Sequence, residues 1–134
     1  MTKTLFTNAR LIDPVGLTDS VGALLVEDGV IAAVYEDPKP DAKGAEVRDC
    51  QGMCLAPGII DIGVKVSEPG ERHKESFRSA GRAAAAGGVT TIVTRPDTLP
   101  AIDTPETLEF VARRAQLDAP VHVLPMAALT KGRD

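Results

Sequence analysis

Few residues in this sequence could hold a metal ion or move a proton. There are two histidines, His73 and His122, and two cysteines, Cys50 and Cys54. The cysteines are spaced C-x-x-x-C with no further cysteine and no histidine before His73. A zinc site there would lack its other ligands, so the pair reads as two small buried residues flanking a strand. His73 lies in Arg72-His73-Lys74-Glu75, a charged stretch that predicts a solvated ring. His122 stands between Val121 and Val123 and reads as a core or hydrogen-bonded histidine on a strand. Lys65 and Asp97 are ionisable residues that fall in or just after strand-like apolar runs. If those runs are neighbouring strands, Lys65 and Asp97 meet as an ion pair, direct or through water; the alternative is a solvated Lys65. Arg113-Arg114 reads as the outer face of a helix.

Composition limits the function classes. The chain has 134 residues, 43% hydrophobic and 25% charged, enough apolar material for a core. Aromatics are only 3%, with no Trp, so packing relies on Ala, Val, Ile and Leu. A net charge of -4 and a pI near 5.2 argue against nucleic acid or an anionic membrane as the main partner. No apolar run reaches the ~20 residues of a membrane span, and Met1-Thr2-Lys3-Thr4-Leu5-Phe6-Thr7 lacks the apolar stretch of a signal peptide. Two cysteines give no disulfide framework. A cytoplasmic protein is the expectation.

The elements that must position these residues change character near residue 57. Up to that point the chain reads as β. Thr4 to Ile12 ends at the turn signal Asp13-Pro14, and Ala23 to Glu27 and Val30 to Tyr35 flank Asp28-Gly29. Asp-Gly between apolar runs predicts a hairpin, because both central turn positions need positive φ. Glu46 to Cys54 predicts one more short strand. From Ala56-Pro57-Gly58 onward, Ile59 to Val66 is a near-continuous apolar run of the kind a strand buried on both faces carries. Ser76 to Ala86 predicts a helix ended by Gly87-Gly88, and Val89 to Thr94 a second strand. Thr104-Pro105-Glu106 is an N-cap, a first-turn proline and a first-turn acid. Leu108, Val111, Ala112 and Ala115 share a face of the helix it opens, and Val121 to Leu124 predicts a third strand. Alternating β and α with short connections implies a parallel sheet with right-handed crossovers. A closed (β/α)₈ barrel takes ~250 residues, so this stretch is either a small open α/β unit or the first part of a barrel.

Several motifs, in their order and spacing, resemble bacterial dihydroorotases of the amidohydrolase superfamily. They are Ala56-Pro57-Gly58-Ile59-Ile60-Asp61, Glu68-Pro69-Gly70 with Lys74-Glu75, Gly87-Gly88-Val89-Thr90-Thr91, Pro96-Asp97-Thr98 with Pro100, and Leu124-Pro125 with Leu129-Thr130-Lys131-Gly132. The resemblance covers essentially the whole chain. It implies an α/β fold: a small β-sandwich segment over residues 1–56, then over 57–134 the N-terminal part of a (β/α)₈ TIM barrel, about three strands and two helices. Members of that family bind two metal ions, zinc, at the C-terminal mouth of the barrel. Two ligands come from Asp-x-His-x-His at the end of the first strand, where residues two apart face one way. The metals lower the pKa of a bridging water, which attacks the amide carbon. An arginine after the histidines and an asparagine after the second strand bind the substrate carboxylate.

At the positions matching that motif, Asp61 stands, but the histidines are Gly63 and Lys65, the arginine is Ser67, and the asparagine is Asp97. Glycine has no ligand atom, and a protonated lysine has no lone pair and repels a cation. Serine cannot clamp a carboxylate at two points, and aspartate would repel one. The resemblance therefore implies a degenerate site at Asp61, Gly63, Lys65, Ser67 and Asp97, with no catalytic residue, no metal and no cofactor expected.

The expected function is that of a pseudoenzyme: a dihydroorotase-like protein of pyrimidine biosynthesis acting as a structural partner. The resemblance suggests aspartate transcarbamoylase as that partner. A metal-dependent cyclic amidohydrolase with an altered or single-metal site is the alternative, and a small-molecule binding module at the altered barrel mouth is a third reading. The unpaired strand edges predict a fragment of a longer barrel or, failing that, a homo-oligomer.

Overall fold

In a computed structural model, which describes residues 2–41 and 43–133, the backbone hydrogen bonds fall into two sheets in separate units. One unit runs to Pro57 and the other begins at Gly58.

The first unit is all β. Strands β1 (Lys3–Asp13), β2 (Thr18–Glu27), β3 (Val30–Tyr35), β4 (Glu46–Asp49) and β5 (Cys54–Leu55) form one sheet. Its order is β3-β2-β1-β4, with β5 also pairing β1. The Asp28-Gly29 hairpin is present, with φ of 47° and 82° at the two turn residues. Both are in the left-handed region that this tight turn demands. Leu5, Ala23 and Leu25 are buried together, with Ala33, Tyr35 and Ala45 packed against them. Two expectations change here. The single strand from Glu46 to Cys54 is interrupted at Gln51-Gly52, both at positive φ, and becomes two short strands parallel to β1. Cys54 lies on β5 and is exposed, while Cys50 is half-buried, so they are not a buried pair. Cys54 pairs in register with Arg10 of β1, whose guanidinium lies beside it.

The second unit is α/β. Strands β6 (Ile59–Val64), β7 (Val89–Thr94) and β8 (His122–Pro125) form a parallel sheet in that order. The crossovers are α1 (Phe77–Ala86) and α2 (Pro105–Asp118). Each helix starts where its cap residue dictates. Ser76 accepts from the Ser79 N–H in a reciprocal capping box, and Thr104 accepts from the Thr107 N–H just ahead of Pro105. Phe77 and Ala80 on α1 and Val111 and Ala115 on α2 bury one face against Val66 and Ile92, closing the core with Ile102. Phe77 and Val111 are at most 1% exposed, and truncating Phe77 to Ala would cost about 3–5 kcal/mol.

The sheet is covered on one face only. Register places Ile60, Thr91 and His122 in one row and Ile62, Val93 and Leu124 in another. Within these rows Ile60, Ile62 and Leu124 are 62%, 73% and 56% exposed. The apolar run in β6 predicted burial on both faces, but both helices pack on the same side. His122 shares the open face, so it is an exposed histidine and not a core one.

Candidate functional site

The residues singled out for chemistry gather where β6 and β7 end. β6 does not run straight to that end. Its register with β7 shifts between Ile62 and Val64, and the residue between them, Gly63, has φ of 92°. The strand is bulged at a residue whose backbone other L-amino acids rarely adopt. Regular alternation stops there. Asp61 pairs with the core residue Ile92, while beyond the bulge Val64 and Val66 pack towards the helices and Lys65 is exposed. A Cβ built on Gly63 would meet nothing within 4 Å, so backbone conformation and not crowding favours glycine.

Lys65 reaches across to the end of the next strand, as expected. Its Nζ donates to Asp97 Oδ2 at 3.1 Å. A second cation, absent from the sequence reading, joins them: Arg95 donates to the same oxygen at 3.0 Å. Its place two residues before Asp97, just past β7, was the available signal. Asp97 has only 16% of its side chain exposed, whereas the Lys65 and Arg95 side chains are more than half exposed. Burial pushes the Asp97 carboxyl pKa up. The Lys65 hydrogen bond and the Arg95 and Lys65 charges outweigh that and leave it below the ordinary carboxylate value. Ser67 is half-buried, and its carbonyl accepts the Glu71 N–H at 2.8 Å, opening the turn that follows.

The loops beside this cluster are tied down. Gly70 has φ of 100°, and a Cβ there would lie 2.2 Å from the Leu99 carbonyl oxygen, so the loops after β6 and β7 approach at a distance only glycine permits. The Leu99 N–H donates to the Pro69 carbonyl at 3.3 Å. Glu68, 5% exposed, joins three elements. Its Oε2 accepts the Phe77 N–H at the start of α1 at 3.0 Å, and its Oε1 accepts Arg114 Nε from α2 at 3.1 Å. Arg114 therefore turns inward, contrary to the reading of Arg113-Arg114 as an outer face. Only Arg113 is an outer residue, paired with Glu109 one turn away. Arg114 sits three residues after Val111, at the rim of the buried stripe, which is where a long cation can reach under the helix.

A metal ion does not fit these residues. Position 63 supplies no ligand atom, and the Lys65 ammonium is already a donor to Asp97. His73 and His122 are both exposed, the former in the loop after β6 and the latter at the start of β8. Among the described residues, no three of His, Cys, Asp and Glu form a group that could hold a metal ion. Among the same residues, no helix is long and apolar enough to cross a membrane.

Comparison with known proteins is consistent with this geometry in its scaffold. Residues 52–134 match the dihydro-orotase-like family. A dihydroorotase of Solibacter usitatus is 43% identical over 125 residues, covering 93% of this chain and 29% of that protein. One from Bacillus cytotoxicus is 42% identical over 126 residues, covering 94% and 29%. Among solved structures, the L-hydantoinase (dihydropyrimidinase) of Arthrobacter aurescens superposes with a TM-score of 0.84 at 25% identity, covering 96% of this chain and 28% of that one. A D-hydantoinase gives 0.76 at 26% identity, covering 98% and 29%. The chain thus spans less than a third of the length of each of these relatives.

Proposed function

This chain belongs to the dihydro-orotase-like family, and from that premise we propose that it is a non-catalytic member, a pseudoenzyme that keeps the amidohydrolase scaffold and has given up the metal chemistry. The observation that carries the reading is the Lys65–Asp97 contact at 3.1 Å. A cation and an anion neutralise each other at the strand ends where the family's resemblance puts ligating histidines and a carboxylate-binding asparagine. Lys65 offers no lone pair while it is a donor, and Asp97 would repel an anionic substrate. In this reading Asp61, Gly63, Lys65, Ser67 and Asp97 are the degenerate site, no residue is catalytic and no zinc is held.

The same reading makes the second unit the first part of a (β/α)₈ barrel. The bare face carrying Ile60, Ile62 and Leu124 would then face the barrel interior, and the first unit would be a segment of the accompanying β-sandwich. The role we assign is structural: a cytoplasmic assembly partner of aspartate transcarbamoylase in pyrimidine biosynthesis, with the chain's own barrel or further copies of it completing the fold.

The test uses the full-length protein. Elemental analysis is expected to find no stoichiometric zinc, and dihydroorotate turnover is expected to be undetectable, while the protein co-purifies with a transcarbamoylase. Stoichiometric zinc with turnover would instead establish an amidohydrolase with an altered or single-metal site.

A further inference from the structure

The stretch between β6 and α1 is held down by charge. Val66 before it and Phe77 after it are buried in the core, but residues 69–76 are all half-buried or exposed. Glu68 is its buried side chain, and the partners of Glu68 are polar: the Phe77 N–H at 3.0 Å, Arg114 from α2 at 3.1 Å and Arg72 from the same stretch at 3.5 Å. Arg72 also reaches Asp118 at the end of α2, again at 3.5 Å, and Asp118 is shared with Arg78 at 3.5 Å and Arg114 at 2.9 Å. Three arginines thus neutralise two acids whose side chains are 6% and 10% exposed. The contacts of Arg72 and Arg78 are ionic only. At 3.5 Å they exceed the ~2.7–2.9 Å of a charge-assisted hydrogen bond, and Asp118 Oδ2 has no hydrogen-bond partner among the described residues.

The other ties of residues 67–76 are backbone ones. The Glu71 N–H donates to the Ser67 carbonyl and the Lys74 N–H to the Glu71 carbonyl, both at 2.8 Å and both within the stretch. The Pro69 carbonyl accepts the Leu99 N–H at 3.3 Å, with Gly70 against the Leu99 carbonyl. Lifting the stretch would break the ion pairs but uncover little apolar surface, because the core of Phe77, Ile92, Ile102 and Val111 is made by other elements. Segments with few buried apolar contacts open at a lower free energy than the whole fold. We infer that residues 67–76 are a strap latched by charge across α1 and α2, which opens as one piece while the sheet and both helices stay folded. Glu68 with Arg114 is the shielded half of the latch, and Arg72, 57% exposed, is the half that salt reaches. The strap borders the strand ends through Leu99, two residues past Asp97, and its opening does not depend on whether the chain is catalytic.

Amide hydrogen exchange of the chain, read residue by residue by NMR, tests this. The Glu71, Lys74 and Phe77 amides report on the strap, and the amides of β7 report on the sheet. The strap amides are expected to exchange faster than those of β7 and to respond little to low urea, whereas β7 follows global unfolding. Arg72→Gln is expected to speed the strap amides about threefold, and added salt to speed them in the native chain. Glu68→Gln, which keeps an acceptor for the Phe77 N–H, is expected to speed them about tenfold or more. Ile92→Val weakens the core and is expected to speed β7 while leaving the strap unchanged. Circular dichroism checks that the variants fold; if Glu68→Gln does not, Arg72→Gln and salt still decide. Strap amides as slow as those of β7, or accelerated equally by Ile92→Val, would overturn the proposal, because the stretch would then open only with the whole fold. Strap exchange that ignores both Arg72→Gln and salt would overturn the charge latch.

Discussion

Lys65 and Asp97 lie just past the ends of neighbouring parallel strands, 32 residues apart in sequence, and share one hydrogen bond that Arg95 reinforces on the same oxygen. The relationship fixes how much the pair can contribute. Removing a partner from a well-buried ion pair costs ~3–5 kcal/mol, but Lys65 is 56% exposed. A double-mutant cycle of Lys65→Ala and Asp97→Ala, read by urea unfolding, should therefore return a coupling of only about 0.5–1 kcal/mol. A coupling several times larger would mean that the lysine is buried in solution.

The same carboxylate sets a pH dependence. Its folded pKa lies below its ordinary value, so its stabilising contribution is complete above the unfolded pKa and is lost as pH falls through the folded one. The stability difference between the native chain and Asp97→Asn should be flat from neutral pH down to about pH 5, then shrink below about pH 4. Chemical unfolding across that range checks it. A difference that disappears already at pH 6 would rule out this carboxylate as its source.

Placing histidines at positions 63 and 65 should not create a metal site. Gly63 sits at φ of 92°, where another residue costs about 1–3 kcal/mol. Gly63→His with Lys65→His is expected to lower the unfolding midpoint and to bind no stoichiometric zinc by elemental analysis. Tight zinc binding with unchanged stability would show that the bulge relaxes into a regular strand.

The largest single-residue effect among the charged groups should be at Arg114. Arg114→Met leaves Glu68, 5% exposed, with only the Phe77 N–H and the distant Arg72. We expect a loss of about 3 kcal/mol, partly recovered by adding Glu68→Gln, measured by denaturant unfolding. A neutral Arg114→Met variant would contradict the central role of that contact.

Local chemistry made part of this legible in the sequence. The Asp28-Gly29 hairpin and the Thr104-Pro105 helix start are decided by their own residues, and both are present. The meeting of Lys65 and Asp97 followed from strand adjacency at two positions that the family motif had singled out. What escaped depended on tertiary placement. The lone glycine in Ile62-Gly63-Val64 is a local signal for a bulge that went unused, and only the register with β7 fixes where the strand shifts. An arginine pair on a helix gives no hint that Arg114 finds a buried acid 46 residues away. The exposure of His122 and Cys54 likewise follows from which sheet face the other elements cover.

The uncovered face carrying Ile60, Ile62 and Leu124 bears on how the folding of this 134-residue chain can be followed. A native sheet with that much accessible aliphatic surface should take up the dye ANS, the response ordinarily assigned to a molten globule. Near-ultraviolet dichroism would not readily arbitrate, because the chain has no Trp and a single Tyr. Amide hydrogen exchange avoids the ambiguity: slow exchange along β7, whose backbone is paired on both sides, alongside strong dye fluorescence would mark an ordered protein with an open face.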